Sequence, residues 1–201
     1  MKDSPRFHLA LMLSAFVGGA VLCSARADEF ARAGLYNVSV SGQYLASDAA
    51  NVVIDGVQAS AQLEGVVGGG LGVGYDITDH FALNIDVWGG GGDLKVEAAG
   101  RSLSEGVTAF GGNVALDWNI LKSRFTPFLS ANLGFLSLSG EVGGLPASET
   151  DLTYGVGGGL RWDISEHWSA KATYRINWTQ FQGFDETSLV HMASVGLGFR
   201  F

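Results

Sequence analysis

The sequence predicts an all-β fold, an eight-stranded antiparallel up-and-down transmembrane β-barrel. Three observations predict it. Apolar and polar residues alternate with period two in eight segments, aromatic side chains gather at segment ends, and the connections alternate between short and long. Successive side chains of a strand point to opposite faces, so a strand with lipid on one side and a barrel interior on the other alternates in this way.

Each segment carries the pattern. In the first, Tyr36, Val38, Val40 and Tyr44 alternate with Asn37, Ser39, Ser41 and Gln43. The second sets Leu71, Val73 and Tyr75 against Gly68, Gly70, Gly72, Gly74 and Asp76, with residues 61–67 readable as loop or strand. The third has Phe81, Leu83, Ile85 and Val87 against Asn84, Asp86 and Trp88; the fourth has Phe110, Val114, Leu116 and Trp118 against Ala109, Gly111, Asn113 and Asp117. In the fifth, Leu129, Ala131, Leu133 and Phe135 oppose Phe128, Ser130, Asn132 and Gly134. After Phe135 the apolar role passes to Leu136 and Leu138, which predicts a bulge there. The sixth opposes Tyr154, Val156, Leu160 and Trp162 to Thr153, Gly155, Gly157, Gly159 and Arg161. The seventh opposes Trp168, Ala170, Ala172, Tyr174, Ile176 and Trp178 to Ser169, Lys171, Thr173, Arg175 and Asn177. The eighth runs Leu189, His191, Ala193, Val195, Leu197, Phe199 and Phe201 against Met192, Ser194, Gly196, Gly198 and Arg200.

A soluble sandwich or lipocalin-like barrel also alternates, with its apolar set inward. The aromatic residues favour the membrane arrangement. Tyr36, Tyr75, Phe81, Trp118, Trp162, Trp168 and Phe201 mark one level, and Tyr44, Phe110, Phe135, Tyr154 and Trp178 mark the other. Amphipathic rings settle at the two headgroup interfaces. The connections at 76–81, 119–125 and 163–168 are short, whereas 46–62, 90–106, 139–151 and 180–188 read as longer loops. Short periplasmic turns opposite longer external loops are the outer-membrane pattern, and they put both ends of the barrel on the periplasmic side. The chain has 30 glycines, about twice the usual ~7% share. They fall mainly in the polar phase, where small residues facing large ones fill a narrow interior. Hairpin closure sets Asp86 and Trp88 against the glycines at 68–72, and Lys171 and Arg175 against 155–161.

Residues 1–27 read as a cleaved secretory signal peptide, leaving 28–201 as the barrel domain. Lys2 and Arg6 precede an apolar run at 9–22, and Ala25-Arg26-Ala27 supplies a small-x-small cleavage site. Cys23, the sole cysteine, lies inside that signal, so the exported chain is expected to hold no disulfide or cysteine metal site. Cleavage removes three of the 12 basic residues and one of the 20 acidic ones, making the remainder more acidic than the full chain's −8. That balance argues against a nucleic-acid partner.

The final residues, Ser194-Val195-Gly196-Leu197-Gly198-Phe199-Arg200-Phe201, resemble the C-terminal assembly signal of outer-membrane proteins, with Ser194, Gly196, Phe199 and Phe201 in its defining slots. The resemblance implies insertion by the barrel-assembly machinery and residence in the cell outer membrane, among its lipid and lipopolysaccharide. The runs at 72–83 and 160–168 resemble the strand–turn–strand units of the OmpA-like and OmpX-like small outer-membrane β-barrel family, which includes opacity-type porin-like proteins. This likeness covers about 33–201 and implies architecture more than activity, since members range from pores to adhesins. With no periplasmic domain after the last strand, cell-wall anchoring is not expected.

No catalytic, cofactor or metal site is expected. His80 and His167 fall in turns and His191 in the lipid-facing phase. A serine nucleophile needs a base within hydrogen-bond reach, and Ser188 and Ser194, the only candidates beside His191, face away from it in a regular strand. No helix follows the glycine runs, so they are not phosphate loops. Asp86, Asp117, Arg161, Lys171, Arg175 and Arg200 are assigned inward, where lone charges are costly and pairing is expected. They form either a structural network or the lining of a narrow water-filled path; eight strands enclose little more than side chains. The external stretches hold Asp48, Asp55, Asp93, Glu97, Glu105, Glu141, Glu149, Asp151, Asp185 and Glu186 against Lys95 and Arg101. Such a rim attracts cations, including divalent ions shared with lipopolysaccharide phosphates. The expectation is a monomeric, non-enzymatic barrel with an envelope-integrity role and weak small-solute pore activity. The alternative is an adhesin or ligand-binding barrel acting through acidic extracellular loops at 46–62 and 90–106.

Overall fold

The computed structural model describes residues 30–54, 57–98, 101–142, 145–179 and 188–201. The expected signal peptide at 1–27 lies outside them, as do Asp55, Asp185 and Glu186. The strands are β1 (Tyr36–Ser47), β2 (Ala50–Ile54), β3 (Val57–Asp76), β4 (Phe81–Ala98), β5 (Arg101–Asn119), β6 (Phe125–Val142), β7 (Leu145–Asp163), β8 (Trp168–Thr179) and β9 (Ser188–Arg200). From β3 to β9 each pairs antiparallel with the next, and β1 joins both β9 and β3, closing an eight-stranded barrel. The ninth strand, β2, is an extra piece that pairs only with the outer end of β3.

The alternation read from sequence sets which face meets lipid. Val38, Val40, Leu71, Val73, Ile85, Leu116, Leu133, Val156 and Leu197 stand exposed on the outside, as a membrane-covered wall requires. Their polar neighbours Gln43, Asn113, Ser130, Asn132, Thr173 and Asn177 are buried within. Trp118, Trp162, Trp168 and Phe201 ring the short-turn end, where Tyr36 packs against Tyr75 with ring centroids 4.7 Å apart. Tyr44, Phe110, Phe135 and Tyr154 ring the other level.

The three short turns repeat one device. Asp76-Ile77, Asn119-Ile120 and Asp163-Ile164 each bury a polar side chain inward and expose an isoleucine outward. An aromatic residue, Phe81, Phe125 or Trp168, then opens the returning strand. Thr78 Oγ1 accepts from the Phe81 amide at 2.9 Å and Ser165 Oγ from the Trp168 amide at 3.0 Å, side-chain turns that fix the reversal locally.

Two sequence expectations are corrected. The stretches at 46–62, 90–106 and 139–151 are mostly strand, because β3 to β7 run 18 to 20 residues whereas β1, β8 and β9 have 12 or 13. Alternation simply continues above the membrane level; Ala59, Ala61 and Leu63 stay buried inside. The bulge expected after Phe135 is absent, since β6 keeps unbroken register with β5 and β7 there. Leu136 and Leu138 remain on the inner face and pack in an apolar interior. The register shift sits instead in β3 between Glu64 and Val67, where Gly65 adopts a positive φ of 64°. That extra residue lets Leu63 and Val66 both turn inward.

Candidate functional site: the barrel interior

The interior is layered along the barrel axis. At the end away from the short turns, Leu45, Leu63, Val66, Trp88, Val107, Ala109, Leu136, Val190 and Met192 form a buried apolar cluster. The sequence reading put Trp88 on the interior face, and the register agrees, pairing it with Gly70 and Gly111. A Cβ at Gly111 would stand 2.6 Å from the Trp88 ring, so glycine there makes room for the indole. What the alternation did not convey is that this layer is apolar.

Below it lies a cavity of about 70 Å³, bordered by Asn37, Asn84, Asp86, Lys171, Thr173 and Arg175. Arg175 Nη1 donates to Asp86 Oδ2 at 3.3 Å, across from Gly157, where a Cβ would meet the Arg175 side chain at 2.8 Å. The Lys171 ammonium donates to Asp117 Oδ2, which also accepts from Asn84 Nδ2 at 2.8 Å. Lys171 Nζ stands 4.6 Å from the centre of the buried Phe128 ring, adding a cation–π contact.

The short-turn mouth is filled by ion pairs. Arg161 makes a bidentate pair with Asp76, at 2.7 and 2.8 Å, and donates through Nε to Asp163 at 3.1 Å. Arg200 Nη1 lies 3.1 Å from the same Asp163, and its Nη2 donates to the Ser165 carbonyl at 2.5 Å. The segment before β1 enters here. Arg32 donates from Nε to Asp163 Oδ2 at 2.7 Å, from Nη1 to the Leu121 carbonyl at 3.2 Å, and from Nη2 to the Ser123 carbonyl. Arg32, Asp76 and Asp163 are fully buried. The Phe30 ring has Arg200, Arg124 and Arg32 within 4.8, 5.5 and 5.8 Å of its centroid.

This segment is also pinned through its main chain. The Phe30 amide donates to the Lys122 carbonyl at 2.7 Å and the Gly34 amide to the Asp76 carbonyl at 2.7 Å. Asp79 Oδ1 accepts from the Arg32 and Ala33 amides at 2.9 and 3.2 Å. Those amides, helped by Lys122, hold the Asp79 carboxyl below its usual range.

All six inward charges named from sequence therefore line the interior, four in the middle layer or its rim and Arg161 and Arg200 at the mouth. The sequence reading missed Arg32, which precedes the first alternating segment, and gave no pairing role to Asp76 or Asp163. Their shared place before an isoleucine at a strand end was the available signal. His80 Nδ1 contacts the Asn119 carbonyl at 2.8 Å and His167 stacks on Phe199 at 5.8 Å, so both serve the turns. His191 lies on the outer face with Tyr174 Oη 2.8 Å from Nδ1 and Asp48 3.6 Å from Nε2, while Ser188 is buried inside. Among the described residues no group of three His, Cys, Asp or Glu converges as a metal site would require. Of the terminal motif, Ser194 and Gly196 border the cavity, whereas Phe199 and Phe201 lie outside against Trp168 and Tyr36. At the external hairpins Lys95 bridges Glu97 at 3.0 Å and Glu64 at 3.8 Å, and these carboxylates raise its pKa.

A family model described as outer membrane protein beta-barrel domain matches residues 12–201. Comparison with curated protein sequences finds no match. Among solved structures, Neisserial surface protein A is similar at 16% identity and a TM-score of 0.62, over 84% of this chain and 99% of that one. OprG of Pseudomonas aeruginosa is similar at 11% identity and a TM-score of 0.60, over 86% and 98%. Ail of Yersinia pestis, the attachment invasion locus protein, is similar at 13% identity and a TM-score of 0.55, over 84% and 99%. At these identities the likeness is one of fold.

Proposed function

Because the chain belongs to the outer membrane β-barrel domain family, we propose that it is a non-enzymatic structural barrel of the outer membrane with a closed interior, contributing to envelope integrity. One observation carries this reading. The apolar cluster around Trp88 and the ion-paired mouth around Asp163 fill the barrel on both sides of a cavity of only about 70 Å³. Guanidinium groups held at the mouth by two or three hydrogen bonds each, with an apolar layer above them, resist the hydration that conduction needs. The filled interior does not support the small-solute pore expected from sequence. On this reading residues 1–27 are cleaved on export and the assembly machinery reads Ser194, Gly196, Phe199 and Phe201. The barrel then sits as a monomer among lipid and lipopolysaccharide, with no cofactor. Planar-bilayer recording of refolded protein tests the proposal: no discrete conductance is expected in several salts, and steady unit conductance overturns it.

A further inference from the structure

We propose that the short-turn mouth of the barrel is a guanidinium-binding socket, whose resident ligand is the side chain of the chain's own Arg32. The acceptors belong to the barrel wall and not to the segment that carries Arg32. Asp163 Oδ2 comes from the end of β7, and the Leu121 and Ser123 carbonyls come from the turn between β5 and β6. Each guanidinium nitrogen meets a different acceptor. A planar fork satisfies three separated acceptors at once, whereas an ammonium is a point donor on a flexible stem.

The charge count shows that this ligand is separable from its seat. With Arg32 in place, three guanidinium groups (Arg32, Arg161, Arg200) share two buried carboxylates, Asp76 and Asp163. Asp163 is oversubscribed, and Arg200 Nε and Nη1 are left without a hydrogen-bond partner though buried. Without Arg32 the same cluster holds two cations and two anions. The socket is therefore a balanced site when empty, and Arg32 occupies it because of the two carbonyls and its tethered, high local concentration. The tether is the Asp79 clasp on the Arg32 and Ala33 amides together with the Phe30 and Gly34 main-chain bonds. An arginine side chain or small guanidinium compound from outside the barrel has the chemistry to take the same place when the segment is withdrawn.

Chemical rescue tests the proposal. Arg32→Ala barrel, refolded in detergent and checked for heat-modifiable mobility, is titrated with methylguanidinium while the Arg161 and Arg200 side-chain Nε–H signals are followed by NMR. A saturable shift of those signals is expected, with methylammonium weaker by about tenfold or more, and no shift in wild-type protein, where the socket is filled. If Arg32→Ala does not refold, Arg32→Lys serves, because its ammonium leaves at least one carbonyl open to methylguanidinium. Absence of a saturable shift in the refolded variant overturns the proposal. So does an equal response to methylammonium, or the same titration in wild-type protein.

Discussion

Arg32 Nε and Asp163 Oδ2 lie 2.7 Å apart although 131 residues separate them, and neither side chain is exposed. The pair fastens the segment before β1 to the end of β7, across the mouth of the barrel. Its two members are not equivalent. Asp163→Asn leaves three buried guanidinium groups facing Asp76 alone, a loss of about 3–5 kcal/mol. Arg32→Ala removes hydrogen bonds but restores charge balance, a smaller loss of about 1–3 kcal/mol. Urea unfolding of the refolded variants, followed by tryptophan fluorescence, should rank Asp163→Asn as the more damaging; the reverse order contradicts the charge count.

The apolar layer should respond as a protein core does, not as a channel lining. Trp88 is buried against neighbours from several strands, so Trp88→Ala is expected to cost about 3–5 kcal/mol through lost burial and the cavity left behind. Equilibrium unfolding measures this directly. A loss below about 1 kcal/mol would mean that the layer is loosely packed.

Glycines at two positions make opposite forecasts. A Cβ at Gly159 would fall 1.9 Å from the Ala172 carbonyl oxygen, whereas at Gly42 nothing lies within 4 Å. Gly159→Ala should cost about 1–3 kcal/mol or more by forcing the β7–β8 pair apart. Gly42→Ala, free of contact, should be neutral or stabilising by up to about 1 kcal/mol through reduced chain freedom in the unfolded state. Thermal shift of the heat-modifiable gel band separates the two.

Acid should weaken the clasp on the entering segment. The Asp79 carboxyl is held below the usual carboxylate range by the hydrogen bonds it accepts from the Arg32 and Ala33 amides. A depressed folded pKa contributes stability that is complete above the unfolded value and disappears as pH falls through the folded one. Wild-type protein should therefore exceed Asp79→Asn in stability at neutral pH, by no more than about 1 kcal/mol for a group still in contact with water. The two should converge as pH falls through the folded value of that carboxyl. Unfolding midpoints measured from pH 7 downward check this; a gap that persists at the lowest pH assigns the effect to something other than the carboxylate.

The barrel wall was legible in the sequence because its two faces meet different solvents. Val38 and Ser39, or Leu116 and Asp117, declare opposite faces wherever lipid lies outside. Above the membrane level that contrast fades, so 46–62 and 139–151 read as loop although most of their residues lie in β2, β3, β6 and β7. Leu136 and Leu138 were misread for a related reason. An apolar inward residue looks like a phase change when the interior is assumed polar throughout, and the β6 register shows no change. Within the site, Arg161 and Arg200 were visible as inward charges because they sit in alternating strands. Arg32 sits in none, and its burial depends on the convergence of the turns at 76–81 and 119–125 with the end of β7. No local pattern encodes such a meeting.

The ladders of the tall hairpins do not stop at the upper aromatic level. β6 and β7 stay paired from Leu133↔Tyr154 out to Val142↔Leu145, and β4 and β5 out to Ala98↔Arg101. From Tyr154 to Leu145, at ~3.3 Å per residue and a tilt of about 40°, the β6–β7 hairpin climbs roughly 23 Å beyond that ring of aromatics. A solute or neighbour arriving from that side therefore meets upright masts, braced along their length by main-chain bonds, before it meets lipid.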